Sequence, residues 1–338
     1  MASPLEFMDV NYGIQIKQFL LDQVSLIRIH RFDTNDMQFE DALVSSAVVL
    51  FKNAKPRDGH SASFTYGGTL SKPKIESNFT TEQLRDIAKW TSLPQTFRLQ
   101  EDSKGELTLS DLFTIKRGLA TGGNSFFVLS KEDAERHDIP EQFLTPILPS
   151  PRYLDSDEIK ADGSGNPKLE KQSFLITCKL PEDEVKQRHP SLWRYFQIGV
   201  ESGLSSAYLC SHREPWYTQE DRPASPFLCT YMGRKIQDRE SPFRFILNHS
   251  KATAANVYLM LYPKPILSSI LRRQPELHQK VWEALSSITP QMMTGEGRLY
   301  GGGLHKIEPK ELGRVSADIV FNSIGAELAV NRQKKLFV

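Results

Sequence analysis

Apolar positions in the first fifty residues follow two periods. In PLEFMDVNYGIQIKQFLLDQ, Ile16, Phe19 and Leu20 fall on one stripe at helical spacing, which predicts a helix. SLIRIHRF and LVSSAVVLF follow as two strands rich in β-branched residues. The second, Val44 to Phe51, is apolar almost throughout, so it is expected to be covered on both faces, like a strand inside a larger sheet flanked by helices. One helix and two strands cannot make a core. Either a partner supplies the covering elements, or residues 1–53 are the downstream part of a domain cut through its middle.

KPRDGHSASFTYGGTLSKPK, Lys55 to Lys74, has the Gly, Ser and Pro content of a surface connection, and the opening unit is expected to end at residue 54. TTEQLRDIAKW predicts a short helix capped by Thr80 or Thr81, with Leu84, Ile87 and Ala88 on one face. Residues 55–106 thus read as a linker with a connecting helix. From Leu107 the pattern turns to β. LFTIKRG and SFFVL are strand-like runs joined by a turn, Gly118 to Asn124, with Lys116 and Arg117 beside it. Leu154 to Gln172 is polar and suits an exposed loop. SFLITC, PFLCTYM, FRFILN and ANVYLMLYP add strands, so 107–265 is expected to be a domain with much β structure. Ile266 to Ile288 has helical periodicity interrupted at Pro275, predicting two helices or a kinked one within a helical and loop part at 266–338.

With 338 residues, 39% of them apolar and 25% charged, the chain is long enough for two domains and is not disordered as a whole. A net charge of +1 provides no global basic field, so any nucleic-acid binding must come from local patches. Cys178, Cys210 and Cys229 stand far apart without a CxxC pair, which argues against zinc and against a disulfide framework and suits a reducing cytoplasm. No apolar run approaches membrane-spanning length, and the N-terminus lacks the features of a signal peptide.

The candidate chemistry begins with an absence. A nucleotide or S-adenosylmethionine site on a doubly wound sheet needs a glycine-rich turn after its first strand and an acidic partner for the ribose, and neither precedes Met37. Gly301 to Gly303 reads as a loop. Asp183, Glu184 and Lys186 in PEDEVKQ could hold magnesium and assist water, but so short a motif reads first as a solvated helix start. The eight histidines show no HxH or HExxH spacing. Phe39 lies in a polar loop entering a buried strand, where it either anchors the loop or projects from the rim of a sheet. FRFILNHSKATAANVYLMLYPKP carries Arg244, Asn248, Ser250, Lys251 and Asn256 between apolar runs, and GRLYGGGLHKIEPKELG places His305 and Lys306 after a glycine loop. With Lys116, Arg117, Thr121, Asn124, Arg152 and Arg234, these form the candidate DNA-contacting set, since Asn and Arg bond base edges and Lys binds phosphate as a point charge.

These stretches resemble adenine-specific DNA methyltransferases of restriction-modification systems, in the class whose target recognition domain follows the catalytic domain. PLEFMDVNYGIQIKQFLL resembles the helix after their fifth sheet strand, and FEDALVSSAVVLF the strand of their downstream motif. LSDLFTIKRGLATGGNSFFVL is similar to the start of their recognition domain, and LNHSKATAANVYLMLYP with RLYGGGLHKIEPKELGRV to its later part. The resemblance implies the last strands of an incomplete Rossmann-like α/β sheet, followed by a mixed α+β recognition domain with C-terminal helices. It implies a double-stranded DNA partner and an adenine, flipped out of the duplex, whose amine receives a methyl group from S-adenosylmethionine. In that family an aromatic in the position of Phe39 stacks on the flipped base. The cofactor motif and the Asn/Asp-Pro-Pro-Tyr/Phe loop are absent from this sequence, and no NPP or DPP occurs in it. The chain alone is therefore expected to bind DNA without binding the cofactor or methylating, with a longer product or a second polypeptide carrying the cofactor half. The rival readings are a stand-alone recognition subunit resembling a specificity protein, and a magnesium-dependent nuclease built on Asp183, Glu184 and Lys186.

Overall fold

The strand near residue 50 pairs with strands that precede it, and the chain that follows it extends the same sheet. The computed structural model describes residues 2–9, 13–33, 38, 46–87, 89–93, 107–234, 241–289, 292–293, 298–300 and 303–325, with backbone alone for 2–6, 92 and 298–300. It forms two units: unit 1 comprises Met1–Glu106, Gly233–Pro242 and Pro290–Ile307, and unit 2 comprises Leu107–Met232, Phe243–Thr289 and Glu308–Val338.

In unit 1, β1 (Ala2–Pro4), α1 (Gly13–Asp22), β2 (Ser25–Arg31), β3 (Ser46–Lys52), β4 (Ser61–Gly68), β5 (Pro73–Thr80) and α2 (Thr81–Asp86) follow in order. The sheet runs β1-β3-β2-β4-β5, antiparallel except between β2 and β4. Lys55 to Lys74, expected to be a surface connection, instead holds β4 and the turn into β5. Its Ser and Thr residues alternate with Ala62, Phe64 and Tyr66, and the buried Ala62 and Phe64 fill the core with Met8, Leu20, Leu21, Leu26, Ile29, Val49, Phe79, Leu84 and Trp90. Phe64 meets the rings of Phe79 and Trp90 edge-on, each at 5.6 Å. The turn needs glycine: Gly68 has φ +70°, and a Cβ there would stand 2.4 Å from the Lys72 carbonyl oxygen.

Two further expectations shift. Helix α1 buries Leu20 and Leu21, whereas Ile16 is 40% and Phe19 48% exposed, so its core face is turned away from the predicted stripe. In β3, Ala47 and Val49 are buried, but Leu50 and Phe51 are exposed, so the strand is not covered throughout as its composition predicts. Thr80 caps α2 in a capping box with Gln83, as expected for one of the two threonines. A small further sheet, in unit 1 but for Met232, orders Met232–Arg234, Leu304–Lys306 and Arg298–Tyr300.

His30 on β2 is fully buried, with Nδ1 2.9 Å from Thr65 Oγ1. Burial, and secondarily the Arg28 charge, push its pKa below the ordinary 6.5. Below pH 6.5 the unfolded chain therefore takes up a proton that the folded chain refuses, so stability falls with pH from 6.5 down to the lowered folded pKa. The slope of folding stability against pH in that window is expected to exceed that of His30→Gln by up to about 1.4 kcal/mol per pH unit. Equal slopes in denaturant titrations of both proteins would refute this.

Unit 2 contains two sheets. The first orders Phe113–Arg117, Tyr258–Pro263, Phe227–Thr230, Phe245–Asn248 and Glu158–Ile159, and its central strand Phe227–Thr230 is wholly buried. The second orders Thr253–Ala254, Leu144–Leu148, Ser173–Ile176 and Val128–Ser130. LFTIKRG and SFFVL are thus not partners in one sheet, because Asn124–Phe127 winds into a helical turn between them. The exposed insertion after Leu154 contributes the short strand Glu158–Ile159, whose Ile159 is buried. Pro265–Arg273 and Leu277–Ser286 are two helices separated at Pro275, as the interrupted periodicity predicts. Trp282 on the second donates from Nε1 to the Phe245 carbonyl at 2.9 Å. All three cysteines are free and buried, with thiol pKa values raised by burial. Among the described residues no helix is long and apolar enough to cross a membrane.

Candidate nucleic-acid interface

The first glycine of the loop Gly118–Asn124 sets the geometry. A Cβ on Gly118 would stand 2.2 Å from the Ala255 carbonyl oxygen and 2.6 Å from that of Ala254, so only glycine allows the loop to lie against this segment. The contact is a short ladder: Gly118 N–H donates to Tyr258 O at 2.9 Å, Leu119 N–H to Ala254 O at 2.8 Å, and Asn256 N–H to Leu119 O at 2.9 Å. Two stretches that are distant in sequence thereby share one surface. Arg117 donates from Nε to the Asn256 carbonyl at 3.0 Å across a separation of 139 residues, and its guanidinium lies 4.0 Å from the centre of the Tyr231 ring. Lys116, Arg117 and Asn124 are exposed.

The loop is held from behind. Thr121 is buried, donates from Oγ1 to Asn124 Oδ1 at 2.6 Å, and accepts from Gly123 N–H at 3.1 Å. The Arg213 guanidinium donates to the carbonyls of Thr121 at 2.6 Å and Ala120 at 2.7 Å, and to Gln219 Oε1 at 3.2 Å. Arg213 is not legible in the sequence, because HREPWY carries no periodicity or motif to mark it.

The other candidates divide by setting. Lys251 is exposed, with its backbone N–H on the Gly165 carbonyl at 2.8 Å, and Arg152 is exposed with its guanidinium 4.6 Å from the Tyr153 ring centre. Arg244 faces inward, donating to Asp157 at 2.6 Å and to the Pro151 carbonyl at 2.7 Å. The buried Asn248 amide donates to the carbonyls of Ser225 and Ala252, each at 3.2 Å, and its Oδ1 accepts from Ser250 Oγ at 2.6 Å. Thr121, Arg244 and Asn248, expected among the DNA-contacting residues, therefore have their side chains bonded within the fold. Arg234, His305 and Lys306 lie on neighbouring strands of the small sheet and belong to unit 1. Phe39 lies outside the described residues.

Asp183, Glu184 and Lys186 occupy the helix Glu182–Arg188, where Glu184 pairs with Arg188 at 2.8 Å one turn on. This is a solvated helix face. Among the described residues no group of three or more His, Cys, Asp or Glu side chains could hold a metal ion.

Residues 92–336 match the family model of the C-terminal domain of type II methyltransferase M.Eco57I. The chain belongs to this family of type II methyltransferases. Among curated relatives, type II methyltransferase M.XamI of Xanthomonas campestris pv. amaranthicola is 25% identical over 315 residues, covering 92% of this chain and 54% of that protein. M.AccI of Acinetobacter calcoaceticus is 25% identical over 328 residues, covering 92% of this chain and 57% of that one. The chain thus spans little more than half the length of these methyltransferases. Among solved structures, it is similar to the type IIL restriction-modification enzyme MmeI in complex with DNA, with a TM-score of 0.49 at 12% identity, covering 95% of this chain and 38% of that one. It is also similar to the type IIG restriction endonuclease BpuSI, with a TM-score of 0.37 at 12% identity, covering 95% of this chain and 41% of that one.

Proposed function

We propose that the chain is the downstream part of a site-specific DNA adenine N6-methyltransferase, supplying the last strands of a Rossmann-like catalytic sheet and the target recognition domain. The observation that carries this reading is the family match over 92–336, which takes in the joined loops of unit 2. The mixed sheet of unit 1, with Leu50 and Phe51 exposed on β3, suits a sheet continued by further elements. Those elements, on the same or a separate polypeptide, would bring S-adenosylmethionine and the catalytic loop.

Among the described residues, the glycine pairs Gly67–Gly68 and Gly122–Gly123 do not fit a cradle for that cofactor. Gly67 and Gly68 form the turn between β4 and β5, while Gly122 and Gly123 pack on Cys210 and Leu204 rather than leaving room for a ligand. Alone, the chain binds DNA and does not methylate it.

In this reading Lys116, Arg117, Arg152, Lys251, Arg234 and Lys306 face phosphates, and Asn124, Asn256 and His305 face base edges. Thr121, Arg244 and Asn248 shape the loops that carry them. The test is duplex binding by the purified chain across a salt series. Each alanine replacement at a true phosphate contact should lower the slope of log affinity against log salt by about one. If all six cation substitutions leave both affinity and slope unchanged, the interface is elsewhere.

Phe39 is assigned to stacking on the flipped adenine. In the complete enzyme, Phe39→Ala should weaken the flipped state by about 1–3 kcal/mol and reduce 2-aminopurine fluorescence at the target base, with melting temperature retained. A large fall in melting temperature with normal fluorescence would make Phe39 a core anchor instead.

A further inference from the structure

The cations and amides of the proposed interface leave the most exposed ring, that of Tyr208, unused among the described residues. Tyr208 opens the short helix Tyr208–Ser211 and is 77% exposed, and Leu209 beside it is 39% exposed. Single exposed apolar groups are ordinary, so exposure alone decides nothing. Position does.

Cys210 is fully buried, and a Cβ on Gly122 would stand 3.0 Å from its Sγ and 3.2 Å from Leu209 Cβ, so the helix packs directly on the loop Gly118–Asn124. Arg213, just past the helix, bonds the Ala120 and Thr121 carbonyls of that same loop. The ring-bearing helix is thus fastened at two points to the loop that starts at Arg117 and ends at Asn124. His212 lies 4.5 Å from the Tyr208 ring, and its Nδ1 is 2.6 Å from the Tyr208 carbonyl oxygen, which limits where the ring can turn.

An exposed aromatic carried on a helix fastened to a loop with cations at its base is what a duplex can engage in two ways at once. Phosphates meet the charges, while base faces and sugar edges meet the ring. We propose that Tyr208, with Leu209 beside it, is an uncharged contact of the recognition unit to DNA, packing on base or sugar surface in a groove while Lys116 and Arg117 hold the adjoining phosphates. This rests on the DNA-recognition reading and adds to it a residue that reads the duplex without charge.

The test uses the full chain and a pool of random-sequence duplexes, followed by fluorescence anisotropy across a salt series. Tyr208→Ala should weaken binding by about 5- to 150-fold, the span of one aromatic contact to a base. Its salt slope should match the wild type, because no phosphate contact is lost. Tyr208→Trp should retain most of the affinity, and the melting temperature of both variants should be unchanged because the ring is exposed. Unchanged affinity in Tyr208→Ala, alongside a lowered slope in Lys116→Ala, would overturn the ring contact and leave DNA recognition standing. A lowered slope in Tyr208→Ala would also overturn it, showing that the ring acts only through neighbouring cations. Absence of duplex binding by the wild type would overturn the DNA reading itself, and this contact with it.

Discussion

Trp90→Ala is expected to destabilise unit 1 by about 3–5 kcal/mol, the range for truncating a large aromatic in a closed core. Trp90 is fully buried, its ring meets Phe64 edge-on, and its Nε1 donates to the Leu84 carbonyl at 3.1 Å. Truncation therefore opens a cavity under β4 and leaves the end of α2 without a partner. The consequence reaches the first fifty residues, because Leu26, Ile29 and Val49 share that core. Amide hydrogen exchange should rise across β2, β3 and β4 together, with a lower midpoint in denaturant. A loss below about 1 kcal/mol would mean that the segment after β5 does not close the sheet, and that the opening unit depends on something outside the chain.

Arg213→Ala is expected to release the loop Gly118–Asn124. The guanidinium serves three acceptors, the Ala120 and Thr121 carbonyls and Gln219 Oε1. Hydrogen bonds from a charged donor contribute about 1.5–3 kcal/mol each, and a partly buried acceptor left alone keeps its desolvation cost, so a net loss of about 2–4 kcal/mol is expected. Lysine should not rescue it, since one ammonium cannot reproduce the two-pronged contact to successive carbonyls. The functional signature is a fall in duplex affinity with faster exchange at residues 118–124 and little change in β2 to β4. Normal affinity with a protected loop would show that the ladder to Ala254 and Tyr258 holds the loop unaided.

Local pattern was sufficient wherever a segment's neighbours in space are also its neighbours in sequence, or where burial is complete. PFLCTYM, FRFILN and ANVYLMLYP read as strands because strands inside a sheet bury both faces and carry continuous apolar runs. Pro275 separates two helices because it can neither donate nor continue the turn, and Thr80 caps because its side chain reaches Gln83 N–H three residues on. The family resemblance likewise lay in contiguous stretches. β4 escaped because Ser, Thr and Gly in SASFTYGG look like a loop, although Ala62 and Phe64 already alternate at the strand period. The rotation of α1, which leaves Ile16 and Phe19 in solvent, depends on which elements arrive to cover it. The joining of Gly118–Asn124 to Thr253–Tyr258, and the capture of Arg244 by Asp157, needed the tertiary structure. Hydrophobic period reports only whether a position is covered. Hydrogen-bond geometry and close backbone approach between distant segments decide which group covers it, and therefore which cations stay free to meet a ligand.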